Sequence, residues 1–203
     1  MQVPHLYIRN FAGVGFCSAL LSEALGQRPE FSSSMIGLGI DAKIDLQIRK
    51  SLKLSSRGPV AENFKSKLSN CIPEWAATLG FNTVDSRDLE TEIVAHGDGA
   101  YYRRHIDTGI RGVSETSRKR VLSIVYYFSH NPTPFSGGEL RLLLPDFGLT
   151  SEPPILDLIP EPDSIAVFPS WLEHEVCEVH CPTGSFEDSR FSFNCWVYNK
   201  PKQ

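Results

Sequence analysis

LETEIVA (residues 89–95), AYYRRHID (100–107), KRVLSIVYYF (119–128), GELRLLL (138–144), ILDLI (155–159), SIAVFP (164–169), HEVCEV (174–179) and SRFSFNCWVY (189–198) follow one another along the second half of the chain. Each is short and most are rich in β-branched or aromatic residues, while GDG, NPTPFSGG, PEPDS and CPTGS between them carry turn chemistry. Short strands in such succession predict a β-sandwich, jelly roll or barrel.

Upstream the pattern changes. His5 to Asn10 reads as a short strand, and Phe16 to Leu25 places small and apolar residues at helical spacing before stopping at Gly26. AKIDLQIRKSLKL (42–54) alternates through Ile44, Leu46 and Ile48, which predicts a half-buried strand. Val60 to Leu79 reads as a helix that Pro73 is expected to break or restart. Helices first and strands afterwards give the α+β class in one domain over 1–203. Residues 1–88 form a support region whose helices brace a sheet, and 89–200 form the core. No internal repeat or low-complexity segment interrupts it.

A chain of 203 residues buries roughly 70% of the surface that its unfolded form exposes, enough to enclose a cavity. Lys+Arg 20 against Asp+Glu 24 gives a formal charge of -4, so neither nucleic acid nor an anionic membrane is an expected partner. MQVPHLYIRNF has no basic region followed by an apolar run, and no stretch approaches the ~20 apolar residues that span a bilayer. The expected location is the cytoplasm. Cys17, Cys71, Cys177, Cys181 and Cys195 are irregularly spaced, which suits reduced thiols better than a disulfide framework.

His105 and Asp107 lie two apart in a strand-like segment, so alternation sends both side chains to one face, about 6.6 Å apart along the backbone. His174, in FPSWLEHEV, follows a buried-looking strand and a tight turn and is the third candidate ligand. Two imidazoles and a carboxylate on one side of an ion leave positions open, as oxygen-activating ferrous iron requires. Arg190 opens RFSFNCW and shares a strand face with Ser192, Asn194 and Trp196. Its guanidinium can take a carboxylate through two parallel hydrogen bonds, which suits a dicarboxylate co-substrate. Ser123, Val125 and Tyr127 likewise share a face, and Tyr127 can add a hydrogen bond.

GDGAYYRRHID, SIVYYF, SGGELRL, FPSWLEHEV and SRFSFN, in that order from about Glu92 to Tyr198, resemble the prolyl 4-hydroxylase-like branch of the iron(II)/2-oxoglutarate dioxygenases. The resemblance implies a double-stranded β-helix, a jelly-roll or cupin-like core. It implies iron held by His105, Asp107 and His174, and the far carboxylate of 2-oxoglutarate held by Arg190. Tyr127 and Leu140 match positions that line the co-substrate pocket, and Tyr102 matches an aromatic position ahead of the metal motif. Ser192 is read as a further co-substrate contact.

Two departures stand out. CPTGSFED lengthens the stretch between His174 and Arg190 and reads as a longer hairpin, and Ala95 stands where some members carry a tyrosine before the glycine turn. The implied reaction consumes O2 and 2-oxoglutarate, gives succinate and CO2, and hydroxylates an unactivated carbon, with ascorbate as an expected auxiliary. The substrate is expected to be peptidyl, with proline the usual family target, or a small amino-acid-like metabolite. Asp107 argues for hydroxylation, since halogenating relatives carry a small residue there.

TGIRGVSETSRKR (108–120) reads as a mobile lid whose basic residues face solvent. Cys177, His180 and Cys181 supply too few ligands for a closed metal site. His96 and His130 fall in expected turns, Gly137 and Gly138 read as a turn needing φ freedom, and Trp171 and Trp196 are core by default. Two rival readings remain: a non-catalytic barrel that binds 2-oxoglutarate or another carboxylate, and a cupin-type metal hydrolase or isomerase. Oligomeric state is left open.

Overall fold

Alternation along the last strand sets the architecture, because its two faces carry different chemistry. In the computed structural model, which describes residues 4–37, 42–55, 58–108, 119–144 and 154–199, this strand is β14 (Arg190–Asn199). Phe191, Phe193, Cys195 and Val197 join one apolar cluster, whereas Arg190, Ser192, Asn194 and Trp196 line a cavity.

The other elements are β1 (Leu6–Ile8), α1 (Val14–Gly26), β2 (Ser32–Ser33), β3 (Arg49–Lys50), β4 (Leu52–Leu54), α2 (Pro59–Thr78), β5 (Val84–His96), β6 (Tyr101–His105) and β7 (Arg120–Phe128). They continue with β8 (Ser136–Gly137), β9 (Leu140–Leu143), β10 (Ile155–Leu158), β11 (Ser164–Pro169), β12 (Glu173–Val176) and β13 (Val179–His180). A seven-stranded sheet runs β1-β11-β7-β14-β5-β4-β2, a five-stranded sheet runs β10-β9-β12-β6-β3, and β13 pairs β8. Both larger sheets send side chains into the cavity, which lies between them.

The outer face of the seven-stranded sheet meets the two helices. Leu20, Leu21 and Ala24 of α1 and Phe64, Leu68 and Ile72 of α2 share a buried cluster with Tyr126, Phe128, Phe191 and Phe193. Phe64 packs edge-on to Phe193 with ring centroids 5.1 Å apart; burying a side chain of this kind contributes about 1.5–3 kcal/mol. This apolar face fixes which side of β14 is free to carry polar chemistry.

Neither helix is capped by its own side chains. The N–H groups of Ala12 and Gly13, ahead of α1, donate to the carboxylate of Asp163 at 2.7 and 2.9 Å. The first-turn N–H groups of Val60 and Ala61 in α2 donate to Glu23 of α1, each at 2.9 Å. Carboxylates at helix N-termini satisfy orphan donors and complement the helix dipole. A Cβ at Gly58 would meet the Glu23 carboxylate, which would have to shift away from the N–H groups it accepts from.

Three expectations change. The strand expected over 42–54 is instead a turn followed by β3 and β4: Asp45 accepts from the Gln47 N–H through its side chain and from Ile48 and Arg49 through its carbonyl. Ile44 and Leu46 are exposed, so the alternation is not a buried face, and an Asx-type turn prevails over the pattern. Pro73 does not interrupt α2. The proline removes one helical hydrogen bond, but Leu68, Ile72, Trp75 and Ala76 are buried on both sides of it, and packing carries the helix through. Finally, CPTGSFED is not a hairpin: β13 pairs β8 rather than β14, and a short 3-10 turn, Phe186–Asp188, leads into β14.

Candidate metal and carboxylate site

His105 ends β6 and faces His174 of β12 directly across the ladder, with ring centroids 4.2 Å apart. Asp107 lies beyond the strand end. A turn, not strand alternation, places it: the N–H groups of Asp107 and Thr108 both donate to the Ser170 carbonyl, at 2.9 and 3.2 Å. Asp107 Oδ1 is 3.7 Å from His105 Nε2, and Oδ2 is 3.5 Å from His174 Nε2. One ligand atom from each residue falls within 4.8 Å of the others, and among the described residues no other His, Cys, Asp or Glu group does so.

The tautomers follow from the backbone. Nδ1 of His105 and of His174 each lie 2.8 Å from a carbonyl oxygen, of Arg103 and Leu172 respectively. A carbonyl only accepts, so each Nδ1 carries the hydrogen and each Nε2 presents a lone pair beside Asp107, as a metal requires. Burial, reinforced by the neighbouring His174, pushes the His105 pKa down to about 3. Burial alone would raise that of Asp107, but His174, His105, the Ser123 hydroxyl and the Trp196 indole outweigh it and hold it below its usual value.

At the other end of the cavity stands Arg190, 1% exposed. Its Nε donates to the Gly138 carbonyl at 2.7 Å and its Nη1 lies 3.5 Å from His96 Nδ1. Its Nη2, the Tyr127 hydroxyl and His96 Nε2 are all enclosed without a hydrogen-bond partner. Among the described residues no carboxylate forms an ion pair with this guanidinium. Burial works against its charge, so a buried cation with free donors is a site for an anion. The guanidinium lies over the Tyr127 ring, 4.9 Å from the centroid.

His96 is the residue that sequence reasoning missed. It is buried rather than in a turn, because β5 extends through it and pairs it with Arg190. Burial first, then the charges of Arg190 and Arg49, hold its pKa well below the usual value. Neutral, and accepting at Nδ1, it carries its hydrogen on Nε2. The signal lay in the inner-face row Glu90, Glu92, Val94 and His96 at period two. Ala95 points the other way, into the helix-side core.

The cavity has a volume of about 490 Å³. Tyr102 stacks on His105 with centroids 3.5 Å apart, and Leu140 and Ser192 line the wall. Arg120, expected in a solvated lid, instead donates from Nε to Glu90 at 2.9 Å and lies over the Trp196 ring; residues 109–118 of that expected lid lie outside the described residues. Trp196 lines the cavity and Trp171 is 48% exposed, so neither is a simple core residue.

The sequence pattern of the 2OG-Fe(II) oxygenase superfamily matches residues 91–198. The chain belongs to that superfamily. It is 33% identical over 197 residues to an uncharacterized PKHD-type hydroxylase of Synechocystis sp., covering 95% of this chain and 62% of that protein, and so spans about three-fifths of the relative's length. It shares its fold with a Pseudomonas putida prolyl-4-hydroxylase (TM-score 0.71, 19% identity, 98% of this chain and 94% of that one). A prolyl hydroxylase from Trichoplax adhaerens, solved with a hypoxia inducible factor peptide fragment, is also similar (TM-score 0.66, 20% identity, 97% and 84%). So is the alpha ketoglutarate dependent epimerase SnoN from nogalamycin biosynthesis (TM-score 0.61, 14% identity, 98% and 79%). The fold therefore serves both peptide and small-molecule chemistry, and does not select between them.

Membership in this oxygenase superfamily implies Fe(II), 2-oxoglutarate and O2. The residues present fit them. The two free Nε2 lone pairs and the Asp107 carboxylate suit a divalent ion, and the unpartnered donors of Arg190 and Tyr127 suit a carboxylate. No helix among the described residues is long and apolar enough to cross a membrane.

Proposed function

We propose that this chain is a dioxygenase, built on a double-stranded β-helix, that hydroxylates an unactivated C–H bond of a peptidyl or small amino-acid-like substrate, with succinate and CO2 as co-products. His105, Asp107 and His174 hold Fe(II), and Arg190 with Tyr127 holds the far carboxylate of 2-oxoglutarate. Tyr102, Leu140 and Ser192 shape the walls around it.

One observation carries this reading: a facial set of three ligands and a buried guanidinium with free donors open into the same cavity. The bound metal and co-substrate supply the oxidative chemistry, and the chain's own work is to bind, orient and exclude water. His105 and His174 are held by backbone carbonyls, so their rings are oriented before any metal arrives. Ser123 fixes Asp107, and Gly138 fixes Arg190.

The test is substrate-stimulated succinate release with added iron, 2-oxoglutarate and ascorbate. His174→Ala should abolish both turnover and iron retention, whereas Arg190→Ala should chiefly raise the 2-oxoglutarate concentration required. Iron retention and co-substrate requirement unchanged in these variants would overturn the assignment.

A further inference from the structure

The cavity wall carries more charge than the metal and co-substrate use. Arg49 Nη2 pairs with Glu92 Oε1 at 3.1 Å, and Arg120 pairs with Glu90. Lys53, on β4, lines the same cavity and has no hydrogen bond or ion pair among the described residues. Two strands away, on β14, Asn194 Oδ1 is enclosed and unpartnered.

Register places these two groups. Lys53 lies opposite Val94, Val94 opposite Ser192, and Asn194 opposite Glu92. Two strand spacings across and two residues along put the Lys53 and Asn194 backbones roughly 12 Å apart. Both side chains line the same cavity.

The charge balance indicates what that molecule carries. Fe(II) and Arg190 are matched by Asp107 and the 2-oxoglutarate dianion, and the two inner arginines are matched by Glu90 and Glu92. Among the described lining residues Lys53 alone is left over. A partly buried ammonium without a partner on the cavity wall favours a carboxylate, and an enclosed carbonyl oxygen favours one N–H donor.

We propose, on the oxygenase reading above, that the substrate is a small free acid with a nearby N–H, an amino-acid-like carboxylate, held by Lys53 at its carboxylate and by Asn194 Oδ1 at its nitrogen. A residue inside a peptide lacks this carboxylate and leaves the Lys53 charge unmatched.

The experiment uses the full chain with Fe(II) and 2-oxoglutarate and compares free L-amino acids, their carboxamides, and blocked peptides carrying the same residues internally. Succinate release and anaerobic thermal stabilisation are both read. At least one free acid is expected to exceed its carboxamide by about tenfold or more in kcat/KM, as loss of a charge-assisted hydrogen bond implies. Lys53→Met is expected to bring that ratio close to one, while Lys53→Arg keeps it. A carboxamide or blocked peptide that matches the acid, an acid preference that survives Lys53→Met, or no response to any free acid overturns the proposal. Failure of the oxygenase reading looks different: 2-oxoglutarate then neither stabilises the iron-loaded protein nor gives succinate with any compound.

Discussion

Ser123 donates its hydroxyl hydrogen to Oδ2 of Asp107 at 2.6 Å, and its oxygen lies 2.9 Å from Ser170 Oγ. The same Ser170 accepts, through its carbonyl, the N–H groups of Asp107 and Thr108. Ser123 therefore fixes the carboxylate and Ser170 the backbone that carries it, before any ion reaches them. Ser123→Ala is expected to leave the fold intact and to weaken iron binding about tenfold or more, the usual cost of losing a partner of a ligating group. Equilibrium metal titration checks this; unchanged affinity would mean that the backbone bonds suffice.

Gly138 sits where φ is +70°, and a Cβ there would lie 2.6 Å from Cδ of Arg190. Gly138→Ala is thus strained in its backbone and displaces the guanidinium it holds. An apparent KM for 2-oxoglutarate raised by about tenfold, with iron affinity little changed, is the expected result. Steady-state kinetics at saturating iron, paired with metal titration, separates the two effects.

His96 makes folding acid-sensitive. Its pKa in the fold lies well below the 6.5 of a free histidine, so below pH 6.5 the unfolded chain takes up a proton that the folded chain refuses. The stability from keeping it neutral is complete above that pH and is lost progressively as pH falls towards the folded value. His105, pushed to about 3, adds in the same direction. His96→Gln should flatten stability against pH below 6.5 by up to about 1.4 kcal/mol per pH unit. Urea unfolding of the metal-free protein across that range measures the slope.

Asp163 is 3% exposed and accepts hydrogen bonds from the Tyr126 hydroxyl at 2.9 Å as well as from Ala12 and Gly13 ahead of α1. Asp163→Ala strands three donors and is expected to cost about 3 kcal/mol, with Asp163→Asn intermediate. Chemical denaturation gives the number, and iron affinity of the folded fraction should not move.

Much of this site was legible because β-strands carry a period of two. Arg190, Ser192, Asn194 and Trp196 were assigned to one face from spacing alone, and all four line the cavity. Alternation pairs His105 with Asp107, and His174 reads as following a strand and a tight turn; the structure brings all three together, though a turn rather than alternation places Asp107. His96 was hidden because GDG directly after it reads as a turn that ends the strand early, whereas pairing with Arg190 carries β5 one residue further. Long-range pairing overrode a local signal. In the 42–54 segment the reverse happened: Asp45 formed a local turn against an alternating pattern whose apolar members had nothing to bury against. Arg120 was misjudged for a third reason. Its partner Glu90 is remote in sequence, and a basic run carries no sign of which member turns inward.

On the proposed reading, the buried Arg190 guanidinium would also set which 2-keto acids the protein accepts. Pyruvate and other monoacids offer the same chelating head, yet they leave Arg190 without an anion and Tyr127 without an acceptor. Selection among keto acids would thereby be made at the end of the molecule where no bond is broken.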